Sequence, residues 1–552
     1  MNREGSPPVS AAETAANPLQ LRSNHLVLLL AASFVLLNLS FPPYVRADGF
    51  PVWVALVPML VAAQFATYRR LALASWLLGW AAGVVSVLWL RHVSLAALLA
   101  LGLYLSFYPP VFLLGWKFLD RRLGLPAALS VPILWVPLEY VRSFLLTGFP
   151  WFYLGHSLYR NLPLIQVADL VGAYGVSALV AAVNGAAADA LRFILPVGAG
   201  ADTPKRSWRK VAFSALGVGL AFVGTVGYGY LRLKQVSITD GPRVALIQGN
   251  IPQSLKFIGR SDEEIFETYR RLSLASLAQE PDLVIWPETM LPGLYHSSHF
   301  IVVEEDFPLE DRLKGLLRDL GRPLLAGIRS GEGYGERFRQ ANSAILLLPD
   351  GQVMAKYDKM HLVVFGEYVP LLRYFRFLKR LVPYRLGLQA GTWQTLFTLP
   401  FHGQPFHFGV LICYEDTVPY LARGLALEGV DCLVNVTNDG WFKASPELDQ
   451  HVIASVFRAV ETRKPVLRAA NTGITSIISP RGEEVARLRD PATGRDREVA
   501  GYLVHPVPLA GPGRAPTAYV RWGDRPAQVA TALAFLLLVF AAERQRPERG
   551  KR

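Results

Sequence analysis

The feature that most constrains this chain is where its apolar residues lie. Runs long enough to cross ~30 Å of hydrocarbon occur near residues 25–41, 50–67, 71–90, 95–119, 125–141, 164–190 and 211–230, with one more at 526–542. Prolines interrupt several of them, which a helix packed among other helices tolerates. Between the last two runs, Gly241 to Pro508 has the composition of an ordinary water-soluble domain. A 552-residue chain also exceeds what one core usually covers. The pattern therefore predicts a membrane domain of about seven spans (25–232), a globular domain (241–508) and a final span (526–542). That makes about eight spans, flanked by tails at 1–24 and 543–552.

The net charge of +13 is explained by topology rather than by nucleic acid. No basic stripe interleaved with aromatics and no nucleic-acid module is present. With the N-terminus in the cytoplasm, Arg22, Arg69, Arg70, Lys117, Arg121, Arg122, Lys205, Arg206, Arg209 and Lys210 fall on that side. So do Arg544, Arg546, Arg549, Lys551 and Arg552 of the last tail, while the opposite loops carry only scattered Arg46, Arg91, Arg142 and Arg160. This positive-inside bias with an even span count puts both termini in the cytoplasm and the globular domain outside. The first run lacks a small-residue cleavage site and reads as an uncleaved anchor.

Within the globular domain, RVALIQGNI, DLVIWPE, PLLAGI, FHFGVLICYE and CLVNVTND read as strands bounded by Gly, Pro or Asp. A capping box at Ser261–Glu264 opens a helix expected to reach Gln279. A second helix fits Leu309–Leu320 with Gly321 as its stop, and a third fits Glu447–Lys464. Pro349-Asp350-Gly351 and Pro480-Arg481-Gly482 signal hairpins. Alternating strands and helices with hairpins predict an α/β domain of mixed sheets covered by helices.

Cys413 is one of only two cysteines. It follows the buried-looking run Phe408–Ile412 and precedes Tyr414, Glu415 and Asp416, poor tenants of a dry core. Its place between a strand end and a helix start is expected to favour the thiolate. Cys432 begins its own strand, so in a parallel pair the two thiols lie at opposite ends, too far apart for a disulfide. Glu288 closes DLVIWPE in the same way that Cys413 closes its strand. Lys359 lies in the mostly apolar run YDKMHLVVFGEYVP, after the first hairpin. Thiol, carboxylate and ammonium form a chemical set: nucleophile, base and oxyanion stabiliser. Histidines are scattered, with no metal-binding motif, and G-x-S-x-G and phosphate loops are lacking. The sequon at Asn435 lies inside a strand and is read as chance.

These residues resemble the Glu-Lys-Cys triad of the nitrilase, or carbon–nitrogen hydrolase, superfamily. The closer resemblance is to the apolipoprotein N-acyltransferases, through QGNIPQSLKF (248–257), WPET (286–289), YDKMHLVVFGEYVP (357–370), ICYED (412–416), NVTNDGWF (435–442) and LRAANTGITSIISPRG (467–482). Phe257 stands where that family usually has Trp, and Val364 where it usually has Pro. The resemblance implies an αββα sandwich inserted between the last two of eight spans, in the inner membrane of a Gram-negative bacterium with the sandwich in the periplasm. It implies that Cys413 takes the sn-1 acyl chain of a phospholipid such as phosphatidylethanolamine as a thioester. The α-amino group of a diacylglyceryl-cysteine apolipoprotein then accepts it, with no cofactor and no metal. Glu288 would be the base and Lys359 the oxyanion partner, Glu367, Tyr414 and Glu415 would support them, and Phe257 and Trp286 would contact substrate. The segment LLRYFRFLKRLV (371–382) has one basic and one apolar face, suited to a phospholipid surface. The same triad would serve a membrane-tethered amidase or nitrilase. A transporter or scaffold with an inert domain is disfavoured by the intact triad, and its few intramembrane charges are Glu139 and Asp169.

Overall fold

The computed structural model describes residues 23–44, 49–194, 207–253, 255, 262–296, 299–301, 307–335, 338–368, 387–511 and 515–544. Helices occupy each apolar run: Ser23–Leu39, Val57–Phe65, Tyr68–Ser86, Leu95–Leu105 with Tyr108–Leu123, Ala127–Arg142, Ala168–Ile194, Trp208–Gln235 and Arg525–Glu543. Among the described residues, four stretches are long and apolar enough to cross a membrane: Leu95–Leu123, Ala168–Ile194, Trp208–Gln235 and Arg525–Glu543. Proline accounts for part of the shortening elsewhere. Val57–Phe65 begins only after a 3-10 turn, Phe50–Trp53, that starts around Pro51, and Ala127–Arg142 contains Pro132 and Pro137.

Two sheets form the globular domain. In the first, the strands run in the order Gly501–Ala510, Ile238–Gln248, Leu283–Trp286, Leu324–Glu332, Leu294–His296, His299–Ile301, and Arg339–Leu347 and Val353–Asp358 also join it through Leu324–Glu332. The second runs Glu484–Arg487, Ser476–Ile478, Val466–Ala470, Cys432–Thr437, Gln404–Ile412, Leu396–Phe401. Side-chain parity places the layers. Leu283 and Ile285 join Val410, Ile412 and Val434 in the core between the sheets. Val284 and Trp286 point the other way, into a core with the helices Asp262–Ser276 and Leu309–Leu320. The outer face of the second sheet is covered by Pro419–Leu427 and Glu447–Thr462. The result is an αββα sandwich.

Both predicted hairpins form, with Gly351 at φ 90° and Gly482 at φ 83°, values that favour glycine. The first predicted helix continues as a 3-10 turn to Gln279, and the third ends at Thr462, with Arg463 in a left-handed cap.

The domain enters and leaves at one place. Its first strand, following the helix Trp208–Gln235, pairs antiparallel with its last, so that Ile238 faces Ala510. The outer layer then docks on the membrane helices. Every residue from Leu448 to Thr462 except Asp449 is buried, because the helix meets the second sheet on one side and Ala168–Ile194 on another. Polar ties fix the joint. Arg463 bonds Asp169 (2.7 Å) and Gln166, and Glu461 accepts from the Ala173 N–H (2.9 Å). Gln450 accepts from the indoles of Trp89 (3.1 Å) and Trp151 (3.2 Å). Glu139 accepts from the Leu154 N–H and the Trp135 indole, both within the membrane part, whereas Asp169 reaches across to Arg463.

Candidate active site

The C-terminal ends of three strands deliver the predicted triad to one place, the usual position for a site in a sheet with parallel strands. Glu288 follows Leu283–Trp286 across Pro287. The neighbouring strand makes room for it through Gly327, where a Cβ would come 2.3 Å from the Pro287 carbonyl oxygen and 2.6 Å from the Glu288 Cα. Lys359 follows Val353–Asp358, and its N–H donates to the Asn342 carbonyl (2.8 Å). Cys413 follows Gln404–Ile412 in a left-handed conformation, φ 53°, which costs a non-glycine residue of order 1–3 kcal/mol. The Asn435 side chain holds its carbonyl (2.9 Å).

Lys359 is 1% exposed. Its Nζ lies 3.0 Å from Glu367 Oε1 and 3.4 Å from Glu288 Oε1. Burial opposes its charge, but the Glu367 and Glu288 carboxylates outweigh that and hold it above the ordinary lysine range. Asn342 donates its two side-chain N–H bonds to the same carboxylates, 2.7 Å to Glu288 and 2.9 Å to Glu367. The Asn438 N–H holds the other Glu288 oxygen (3.0 Å), and the Val363 N–H holds the other Glu367 oxygen (2.9 Å).

Glu415 is buried and joins the two loops. It accepts from the Ile412 N–H (2.8 Å) beside Cys413, and from Met360 N–H (2.7 Å), His361 N–H (2.9 Å) and the Tyr357 hydroxyl beside Lys359. Burial pushes its carboxyl up to about 7 against the pull of the Ile412 and His361 donors. Tyr414 points to the membrane domain: its hydroxyl donates to the Gly148 carbonyl (3.2 Å) and its ring stacks on Trp151.

Three expectations change. Cys413 does not rest as a thiolate, because burial first and the Glu288 carboxylate second push its thiol well up, while Lys359 only partly offsets them. The element it opens is a five-residue 3-10 turn, Cys413–Thr417, too short for a strong dipole. Trp286 is fully buried, packed on Phe266 and Tyr269 with its indole N–H on Ser273 (2.8 Å), so it is core rather than a substrate contact. Phe257 and the amphipathic segment 371–382 lie outside the described residues. Cys432 is buried and free, paired in register with Phe408, midway along the strand that leads to Cys413. Asn435 is fully buried, inaccessible to glycosylation. Sequence reasoning passed over Asn342 and Asn438, although the polar run NVTND after a buried strand marked the second.

Residues 243–495 match the carbon-nitrogen hydrolase family, and residues 33–186 match the N-terminal domain of apolipoprotein N-acyltransferase. The apolipoprotein N-acyltransferase of Geobacter metallireducens is 38% identical, over 82% of this chain and 85% of its own. The chain belongs to the apolipoprotein N-acyltransferase family. Other members similar to it are those of Bradyrhizobium diazoefficiens, at 34% identity over 80% of this chain and 78% of that one, and Rhodopseudomonas palustris, at 32% over 90% of each. Among solved structures, an amidase from Nesterenkonia sp. AN1 is similar at 19% identity over 53% of this chain and 97% of that one, with a TM-score of 0.37.

Proposed function

We propose that this family member moves the sn-1 acyl chain of a phospholipid, phosphatidylethanolamine, to the α-amino group of the diacylglyceryl-cysteine of an apolipoprotein. This is the last step of bacterial lipoprotein maturation. The observation that carries the chemistry is the buried carboxylate–ammonium pair, Glu288 and Lys359, converging with Cys413 at strand ends. Glu288 takes the Cys413 proton and the thiolate attacks the ester carbonyl. The tetrahedral oxyanion forms beside Lys359, whose charge Glu367 sustains. Collapse expels the lysophospholipid, which recovers the proton from Glu288 and leaves a thioester. The amine then attacks the thioester, gives its proton to Glu288, and the departing thiolate is reprotonated from there. Glu415 keeps the lysine loop and the cysteine turn in register.

Two lipid-anchored substrates fit a site whose Tyr414 reaches the membrane domain. We place the chain in the inner membrane with eight spans, both termini cytoplasmic and residues 241–508 in the periplasm. Purified protein given phosphatidylethanolamine alone should gain one acyl group on Cys413, seen by intact-protein mass spectrometry. A diacylglyceryl-cysteine peptide should then discharge it and gain one chain. Cys413→Ala should gain nothing. Rapid release of free fatty acid without peptide would point instead to a hydrolase, and an adduct on Cys413→Ala would remove the cysteine from the chemistry.

A further inference from the structure

Behind the Cys413 turn lies a group of buried charges that the acyl-transfer steps above do not use: Asp416, Asp439, His451 and Arg468. Asp416 belongs to the turn Cys413–Thr417. Asp439 follows Asn438, whose N–H holds Glu288. His451, on the helix Glu447–Thr462, stands between them, with Nε2 2.9 Å from Asp416 Oδ1 and Nδ1 3.2 Å from Asp439 Oδ1. Arg468 completes the group, 2.6 Å from Asp416 Oδ2 and 3.6 Å from Asp439 Oδ2. Ser455 also donates to Asp416, and Thr437 to Asp439 (2.8 Å).

A neutral imidazole has one N–H and one lone pair, so it can satisfy only one of two flanking carboxylates. Only the imidazolium donates to both. With it, two anions face two cations and the buried charge balances. Burial opposes the ring's charge and Arg468 adds to that, but Asp416 and Asp439 raise His451 to about 10. Glu447, 3.7 Å from Nδ1, adds no compensating charge, since burial and Asp439 push its carboxyl well up. Asp439, Glu447 and His451 are close enough to share a metal ion. Arg468 already supplies positive charge there, and both ring nitrogens are engaged.

We propose that His451 is a cationic positioning residue, tying the Cys413 turn to the Asn438–Asp439 turn and so fixing nucleophile and base relative to each other. This rests on the acyl-transfer reading above. The test uses full-length protein in mixed micelles of detergent and phosphatidylethanolamine with the diacylglyceryl peptide, comparing wild type with His451→Gln. In the variant, kcat should fall on the order of 10²-fold with KM unchanged, the signature of misplaced reacting groups. The pH profile of Cys413 alkylation by iodoacetamide should move to higher pH, because Asp439 loses its counter-charge beside the thiol. A folded variant with wild-type kcat, a loss confined to KM, or an unmoved alkylation profile would each overturn the proposal. If His451→Gln does not fold, the wild-type protein decides. Exchange of the His451 ring Cε1–H, read by mass spectrometry, should show no transition between about pH 6 and 9, and a midpoint near ~6.5 would overturn it. Wild-type protein that fails to transfer would overturn the acyl-transfer reading instead, so the two failures are distinct.

Discussion

As the proposed nucleophile, Cys413 would need a base, because its surroundings work against the thiolate. Burial and the Glu288 carboxylate raise the thiol, and Lys359 recovers only part of that. The midpoint of wild-type alkylation by iodoacetamide should therefore lie above ~8.5, where that of an ordinary cysteine falls. Glu288→Gln removes the nearest anion and leaves the Lys359 cation, so its profile should move to lower pH even as acyl transfer is lost. A shift to higher pH would mean that Glu288 does not raise the thiol. Lys359→Arg should also fail, with kcat down on the order of 10²–10³-fold in a folded protein. A planar fork would pair with Glu367 and Glu288 side by side rather than present one compact charge to an oxyanion. Near-normal turnover by that variant would remove Lys359 from its role.

Among the elements, Glu415 shows how loops from two different sheets are kept in register. One carboxylate accepts from both, so Glu415→Gln turns an N–H₂ toward donors that expect an acceptor. We expect a loss of about 2–4 kcal/mol in stability and of acyl-enzyme formation together. Denaturant unfolding and the mass assay would check the pair; lost stability with intact acylation would mean that the clamp serves the fold alone. Much at this scale was legible beforehand. Pro-Asp-Gly and Pro-Arg-Gly marked the hairpins because only a few residues accept a positive φ, and the run Leu309–Leu320 with its terminal Gly321 is a helix with those bounds. Trp286 misled because it stands two residues from Glu288 in one motif. The parity of the strand held the correction: Val284 and Trp286 face the helices, while Leu283 and Ile285 face the other sheet. Asn342 was invisible because its partners, Glu288 and Glu367, lie 54 and 25 residues away. The buried charges around His451 were hidden for the same reason, since they come from four separate elements.

For the whole molecule, the insertion of a soluble domain between two membrane helices has a simple geometric basis. Ile238–Gln248 and Gly501–Ala510 lie side by side, so the domain adds its mass without forcing the helices before and after it apart. The buried helix Glu447–Thr462 then joins that domain to the membrane helices, with Asp169 accepting from both Arg463 and Arg232. Because this joint is buried and lies on one side of the domain, the orientation of the membrane domain sets which side of the bilayer the triad faces. In the proposed topology, the Lys/Arg asymmetry would put the loop around Arg209 in the cytoplasm, on the opposite side from Cys413. A cysteine placed at Arg209, in a chain carrying Cys413→Ala and Cys432→Ala, should resist an impermeant thiol reagent in intact cells and react once the membrane is opened. A cysteine placed at Trp393, which is 72% exposed on the globular domain, should react in cells whose outer membrane alone has been permeabilised. Labelling at Arg209 from outside would invert the molecule and put the triad in the cytoplasm, away from a periplasmic acceptor.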